Sequence, residues 1–398
     1  MKISYPYFNQ NILKKVQQVL KSGRVNYWTG NECKDFEKEF SSYHNVKYSS
    51  TVSNGSVALE IALKALNLKK TDSVIVTPRS FVISASCVLN LGLKPVFADV
   101  DNNGNLSIEG IKKSYNKNVK AIIVVHLNGL SCDLDPILKF VNKNKLFLIE
   151  DCSQAHGAIY KDKKVGSFGH ISTWSFCQDK IMSTGGEGGM ISTNNRKLWL
   201  KIWSLKDHGK NYKSVFYKKH KTGFKWLHDD LGTNYRMTEM QAVIGREQLK
   251  SLDNQINKRN FLASLYLNGL KDYYQKYDIL KKPDFKCQTH PLKKNLKKGN
   301  RYVHAFYRLN FFINKNKIKQ NELLEQLMKN KINCGVGACP EIYREKIFKK
   351  FKFYPRKRLT NAKLLGETSI MFPINPYRSL TKIKSEINSI KKILNKYL

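Results

Sequence analysis

The chain has 398 residues, 41% of them hydrophobic and 11% aromatic, which exceeds the usual size of one compact core and excludes a largely disordered protein. A formal charge of +39 suggests nucleic acid first, but the excess is mostly lysine spread through the chain. Denser runs at 218–221, 293–298 and 349–358 have no helix-turn-helix, zinc-finger or RNP pattern beside them, so compositional drift stands ahead of nucleic-acid binding.

In chain order, the opening MKISYPYFNQ lacks an apolar h-region, and no uninterrupted apolar run reaches the length of a bilayer span. No membrane span is therefore expected, and a cytoplasmic location is the simplest reading. NECKDFEKEF (31–40) predicts an amphipathic helix packed on the body. From residue 50 to 195, helical and strand-like runs alternate. SVALEIALKALNL (56–68) has helical spacing, SVIVT (73–77) is a short β-branched run, FVISASCVLNLG (81–92) reads as a helix stopped by glycine, and PVFADV (95–100) reads as a strand. A helix near 107–115 leads to VKAIIVVH (119–126), and another at 134–143 leads to LFLIED (146–151). These strands are apolar throughout, as expected where a parallel sheet is buried on both faces. STWSFC (172–177) and GGMISTN (188–194) predict two further strands. A long helix over 238–270, a strand-like HAFYRLNFFI (304–313) and helices at about 319–331 and 380–397 suggest a smaller unit. The expected fold is α/β, with a mostly parallel central sheet covered by helices on both faces and a smaller C-terminal α+β domain. The expected division is a large domain over 1–250 and a small one over 251–398. The eight cysteines contain no CxxC, so they read as reduced thiols and no metal site is expected.

In open α/β sheets, ligands collect beyond the carboxyl ends of the strands. LFLIED ends in Glu150-Asp151, and CSQAHGA follows; Ser53-Asn54-Gly55-Ser56 opens the first helix of the alternating region. After STWSFC, Lys180 lies just before Gly185, Gly186, Gly188 and Gly189. These pieces suit pyridoxal phosphate. The cofactor needs a lysine to hold it as a Schiff base, an acid beside its pyridine nitrogen, and N–H donors for its phosphate such as a helix start supplies. Lys180, Asp151 and the Gly55-Ser56 helix start fill these roles, with Phe81 as a candidate to face the ring.

VSNGSVALEIAL, TPRSFVISASCVLNLGLKPVFADVD, IEDCSQAHGA, WSFCQDKIMSTGGEGGMISTN and NYRMTEMQAVIG occur in an order that resembles the DegT/DnrJ/EryC1/StrS sugar-nucleotide aminotransferases, which are fold-type I pyridoxal phosphate enzymes. The resemblance continues weakly through CPEIYREKIF and SIMFPINP. It implies that Lys180 is the Schiff-base lysine and the acid/base, that Asp151 pairs with the pyridine nitrogen, and that Gln154 meets the phenolic oxygen. It also implies that Phe81 stacks on the ring and that Gly55, Ser56 and Ser175 hold the phosphate. Asn234 would reach the phosphate from the second subunit of a homodimer. The implied reaction passes an amino group, from glutamate as the expected donor, through pyridoxamine phosphate to a nucleotide-diphosphate keto sugar on the way to a polysaccharide or glycoconjugate. Family members with histidine at the Schiff-base position are dehydratases, so Lys180 favours the aminotransferase; a dehydratase or other lyase is the alternative. A regulatory or nucleic-acid-binding protein on the same scaffold is the second. Asn375, where many relatives have histidine, and NCGVGACPEIY (333–343) depart from the family's pattern in segments that shape the sugar pocket.

Overall fold

The computed structural model describes residues 5–284 and 301–398, so the basic run 293–298 lies outside the described residues. The strands are β1 (Tyr48–Val52), β2 (Ser73–Val76), β3 (Lys94–Phe97), β4 (Val119–Val125), β5 (Phe147–Asp151), a small hairpin of β6 (Ile159–Tyr160) and β7 (Lys163–Lys164), β8 (Ile171–Ser175), β9 (Gly189–Thr193), β10 (Leu280–Lys281), β11 (Arg308–Ile313) and β12 (Ser369–Pro373). Seven of them form one sheet in the order β1-β9-β8-β5-β4-β2-β3. Within it β3, β2, β4, β5 and β8 are parallel neighbours, and β9 runs antiparallel to both β8 and β1. The expected α/β class with a mostly parallel sheet is what the chain forms.

Successive side chains on a strand face opposite ways, and both sets are buried here. On β4, Ile122 and Val124 enter one apolar layer while Ala121 and Ile123 enter the other. That double burial is why these strands read as unbroken apolar runs. A second sheet, β10-β11-β12, is antiparallel and packs its own apolar cluster against helices Leu252–Gly269 and Leu380–Leu394.

Two elements differ from the sequence reading. The helix expected over 238–270 is two helices, Glu239–Lys250 and Leu252–Gly269. At the break, the Ser251 hydroxyl donates back to the Gln248 carbonyl at 3.0 Å and accepts from Gln255 Nε2 at 3.0 Å, so the side chain competes with the helical ladder. β1, with sequence YSSTV, carries no apolar alternation. One of its buried serines is paired instead: Ser49 Oγ meets Ser41 and Ser192 hydroxyls, each at 2.8 Å.

Glu150 shows how the sheet handles a carboxylate in its interior. The side chain is fully buried, and it accepts main-chain N–H bonds from Gly166, Phe168 and Gly169 at 2.6–2.8 Å. His126 Nδ1 accepts the N–H of Cys132 at 3.1 Å, so Nε2 carries the hydrogen and donates to Glu150 at 3.0 Å. Cys152 lies close enough to complete a metal-like trio, but the lone pairs of Glu150 and His126 are already committed to these hydrogens. Burial pushes the Glu150 carboxyl up, yet His126 and the main-chain donors outweigh it and hold the group below its usual range.

A folded-state value below the unfolded one means that the stabilisation is fully present above the unfolded pKa and is lost as pH falls through the folded one. Glu150→Gln keeps the shape but aims an amide at donors. Urea unfolding at neutral pH is expected to show a loss of about 3 kcal/mol, with the gap from wild type narrowing as pH falls.

Candidate active site

The carboxyl ends of β2, β5 and β8 converge on a cavity of about 810 Å³. Gly55, Ser56, Phe81, Asp151, Gln154, Ser175 and Lys180 all line it. Seven of the eight residues expected from the sequence are thus brought together within one chain. The eighth, Asn234, is exposed and is not among the lining residues; it sits on the segment that pairs with Asp207.

Each residue is placed by local chemistry. Helix Gly55–Ala65 starts under Asn54, whose side chain accepts the N–H of Val57 at 2.9 Å. The preceding helical N–H groups, at Gly55 and Ser56, have no carbonyl one turn back and open toward the cavity mouth. A Cβ on Gly55 would sit 2.6 Å from Ser175 Cβ, so only glycine lets the helix approach the end of β8 this closely. Between β8 and β9 the chain turns through Gly186 at φ +130, a conformation that a side chain would strain, and Lys180 is carried on this turn.

Asp151 ends β5 and is buried. Its Oδ1 accepts the N–H of Ser153 at 3.1 Å and its Oδ2 accepts the hydroxyl of Ser84 at 3.2 Å; among the described residues it has no ion-pair partner. A buried carboxylate with only neutral partners is an unfilled place for a cationic ring nitrogen. Gln154 Oε1 accepts the N–H of Asn128 at 2.8 Å, which leaves its amide hydrogens for another acceptor. Phe81 is 68% exposed at the cavity, an apolar face with little cover of its own. Carboxylate, lysine, amide donor, helix start and open aromatic face together fit pyridoxal phosphate.

Sequence reasoning missed the second wall. Asp179, Tyr307 and Arg308 also line the cavity. Lys180 Nζ lies 3.2 Å from Asp179 Oδ1 and donates to Tyr307 Oη at 3.5 Å. Tyr5, near the N-terminus, donates its hydroxyl to the main-chain carbonyl of Lys180 and accepts from Arg259 at 3.0 Å. Burial pushes the Tyr5 hydroxyl up to about 12, so it remains a donor at neutral pH. Asp179 was visible beside Lys180 in the motif, whereas Tyr5, Tyr307 and Arg308 arrive from 175 and about 127 residues away with no local signal. His156, behind the site against Trp174 and Phe176, is held neutral by burial at about 3.

This fold and this site define a pyridoxal phosphate-dependent enzyme of fold type I. The sequence profile of the DegT/DnrJ/EryC1/StrS aminotransferase family matches residues 6–391, and the chain belongs to that family. A solved aminotransferase from Psychrobacter cryohalolentis is 41% identical and superposes with a TM-score of 0.92, covering 99% of both chains. An uncharacterized protein of Methanocaldococcus jannaschii is 30% identical over 98% of this chain and 96% of its own length. A GDP-perosamine synthase of Escherichia coli O157:H7 is 37% identical over 62% of this chain and 65% of its own length. The protein is a pyridoxal phosphate-dependent aminotransferase.

Gly55→Ala tests the packing of the helix start. The added methyl cannot be absorbed by main chain, so the helix must shift away from Ser175. Pyridoxal phosphate affinity, read by fluorescence titration, is expected to fall at least about tenfold while the far-ultraviolet circular dichroism stays that of the wild type.

Proposed function

We propose that the protein moves an amino group from an amino acid, with glutamate as the expected donor, to the keto group of a nucleotide-diphosphate sugar. Lys180 would bind the cofactor and carry the proton between substrate carbon and cofactor, Asp151 would hold the ring nitrogen, and Gln154 would meet the phenolic oxygen. Phe81 would cover the ring, and Gly55, Ser56 and Ser175 would hold the phosphate. Pyridoxal phosphate supplies, when bound, an electron-withdrawing ring that takes up the electron pair left as the substrate carbon loses a proton.

The observation that carries the anionic half of the substrate is a second cavity of about 350 Å³ that shares Asp179, Tyr307 and Arg308 with the first. Among the described residues, Arg259, Arg308, Lys331 and Arg378 line it against two carboxylates, Asp179 and Glu386. A sugar reaching Lys180 through this wall would leave its diphosphate among cations. Asn375 and Asn333 stand in the same wall, so the two segments that depart from the family's pattern border the place where a sugar would lie. The name of the GDP-perosamine synthase relative supports a nucleotide sugar without choosing the nucleotide for this chain.

The homodimer belongs to the same proposal. Asn234 is not among the residues that line its own cavity, and the stretch before it exposes Tyr217, Phe224, Trp226 and Leu231, each at least 71% accessible. Apolar side chains on this scale call for cover, and a second copy would bring Asn234 to the partner's phosphate site. We also take 1–250 and 251–398 as the two domains, supported by the helix break at Ser251 and the separate sheet that follows.

Two outcomes test these assignments. Lys180→Ala is expected to lower glutamate-dependent amination of keto-sugar nucleotides more than about a thousandfold. Glutamate that leaves the wild-type cofactor unchanged would point to another donor or to a lyase. Mixing Lys180→Ala with Asn234→Ala subunits, each inactive alone, is expected to restore about a quarter of wild-type activity by pairing one intact site per mixed dimer. No recovery from exchanging subunits would remove Asn234 from the shared site.

A further inference from the structure

Lys180 has two polar neighbours on its own side of the cavity, and their hydrogen bonds have a direction. Tyr307 gives its one hydrogen to Asp179 Oδ2, so its oxygen is left to accept, from Lys180 Nζ at 3.5 Å and from Arg308 at 3.2 Å. Asp179 Oδ1 faces Nζ directly at 3.2 Å, and Arg308 stands 3.6 Å from Oδ2. The chain of donors therefore runs from Lys180 through Tyr307 to Asp179.

We propose that Asp179 and Tyr307 are the proton store of Lys180, accepting the ammonium proton when the amine must be neutral and returning it when the amine must act as an acid. The inference rests on the reading of Lys180 as the cofactor lysine. As a proton leaves Nζ for Tyr307 Oη, the phenolic proton passes to Asp179 Oδ2; across the direct contact the same change occurs in one transfer. Either way an ammonium and a carboxylate become an amine and a carboxylic acid, and no electrons are exchanged. Arg308 sets the resting direction. Burial raises the Asp179 carboxyl, but Lys180, the Tyr307 hydroxyl and Arg308 outweigh it and hold the group below its usual range, so the stored proton is handed back. Tyr307 is itself pushed up by burial, with Asp179 adding to the rise against Arg308, so it passes a proton without remaining ionised.

The charged and titratable groups around Nζ come from several elements. Asp179 is on its own turn, Tyr307 and Arg308 are at the start of β11, and Tyr5 is at the Lys180 carbonyl. Asp151 and Glu187 stand elsewhere in the cavity wall, and neutral His156 lies behind it. Of these, Asp179 is the carboxylate in contact with the amine.

The test is a pH titration of the visible absorption band of the protein loaded with pyridoxal phosphate, which follows protonation of the lysine nitrogen. Asp179→Asn removes a negative charge and is expected to lower the midpoint by about one pH unit or more, with Asp179→Glu recovering most of the shift. Arg308→Gln removes a positive charge and is expected to move the midpoint the other way, which a general loss of structure would not do. Tyr307→Phe is expected to slow the glutamate-driven change of the band by about tenfold to a hundredfold. Equal midpoints for wild type and Asp179→Asn, or shifts of the same sign in Asp179→Asn and Arg308→Gln, would overturn the proton store while leaving Lys180 as the cofactor lysine. A wild type that develops no band would overturn that reading and the proton store with it.

Discussion

The central sheet is covered by apolar side chains on both faces, so a polar group inside it must be paired within the protein or moved to a strand end. The neighbouring carboxylates of β5 show both solutions. Glu150 points into one layer and is saturated by His126 and three main-chain N–H groups. Asp151, one residue later and at the edge, keeps two neutral partners among the described residues and opens onto the cavity. The first carboxylate is structural because its lone pairs are used, and the second is available for chemistry because they are not. The placement of the cavity follows from where the strands stop.

A second constraint fixes the lysine. Arg259 is fully buried on helix Leu252–Gly269, and its guanidinium donates to the carbonyls of Phe306 and Ile374 and to the Tyr5 hydroxyl. Tyr5 in turn donates to the carbonyl of Lys180. One planar cation thus joins the N-terminal segment, the approach to β11 and the exit from β12 to the turn that carries Lys180. Phe306 is followed by Tyr307 and Arg308, so the same tie sets the wall that faces the lysine amine. The glycines of the turn complete the arrangement by letting β9 return beside β1 and β8.

How much of this was legible depended on the distance over which each contact acts. The parallel strands were plain because burial on both faces leaves apolar runs, and β4 and β5 fall within one residue of the runs VKAIIVVH and LFLIED. β1 was not, because three of its buried side chains carry hydroxyls, with Ser49 bonded to Ser41 and Ser192 and Thr51 bonded to Glu37. The break at Ser251 was hidden because an i to i−3 side-chain bond leaves the helical spacing of apolar residues intact. Lys180, Asp151 and the Gly55 helix start could be read because each lies in a short motif at a strand or helix end. Tyr5, Tyr307, Arg308 and Arg259 could not, since their positions at the site arise from packing between segments far apart in the chain. Arg308 in particular reads from the sequence as one more cation among 70 lysines and arginines.

The central claim is that, in a chain so rich in lysine, one lysine is set apart by the structure to bind the cofactor. The most direct measurement is to load the protein with pyridoxal phosphate, reduce it with borohydride, digest it and locate the attached cofactor by mass spectrometry. The account predicts one dominant modified peptide, carrying the cofactor on Lys180. Attachment spread over surface lysines, or concentrated on a lysine outside the cavity that Asp151 and Gly55 line, would contradict it.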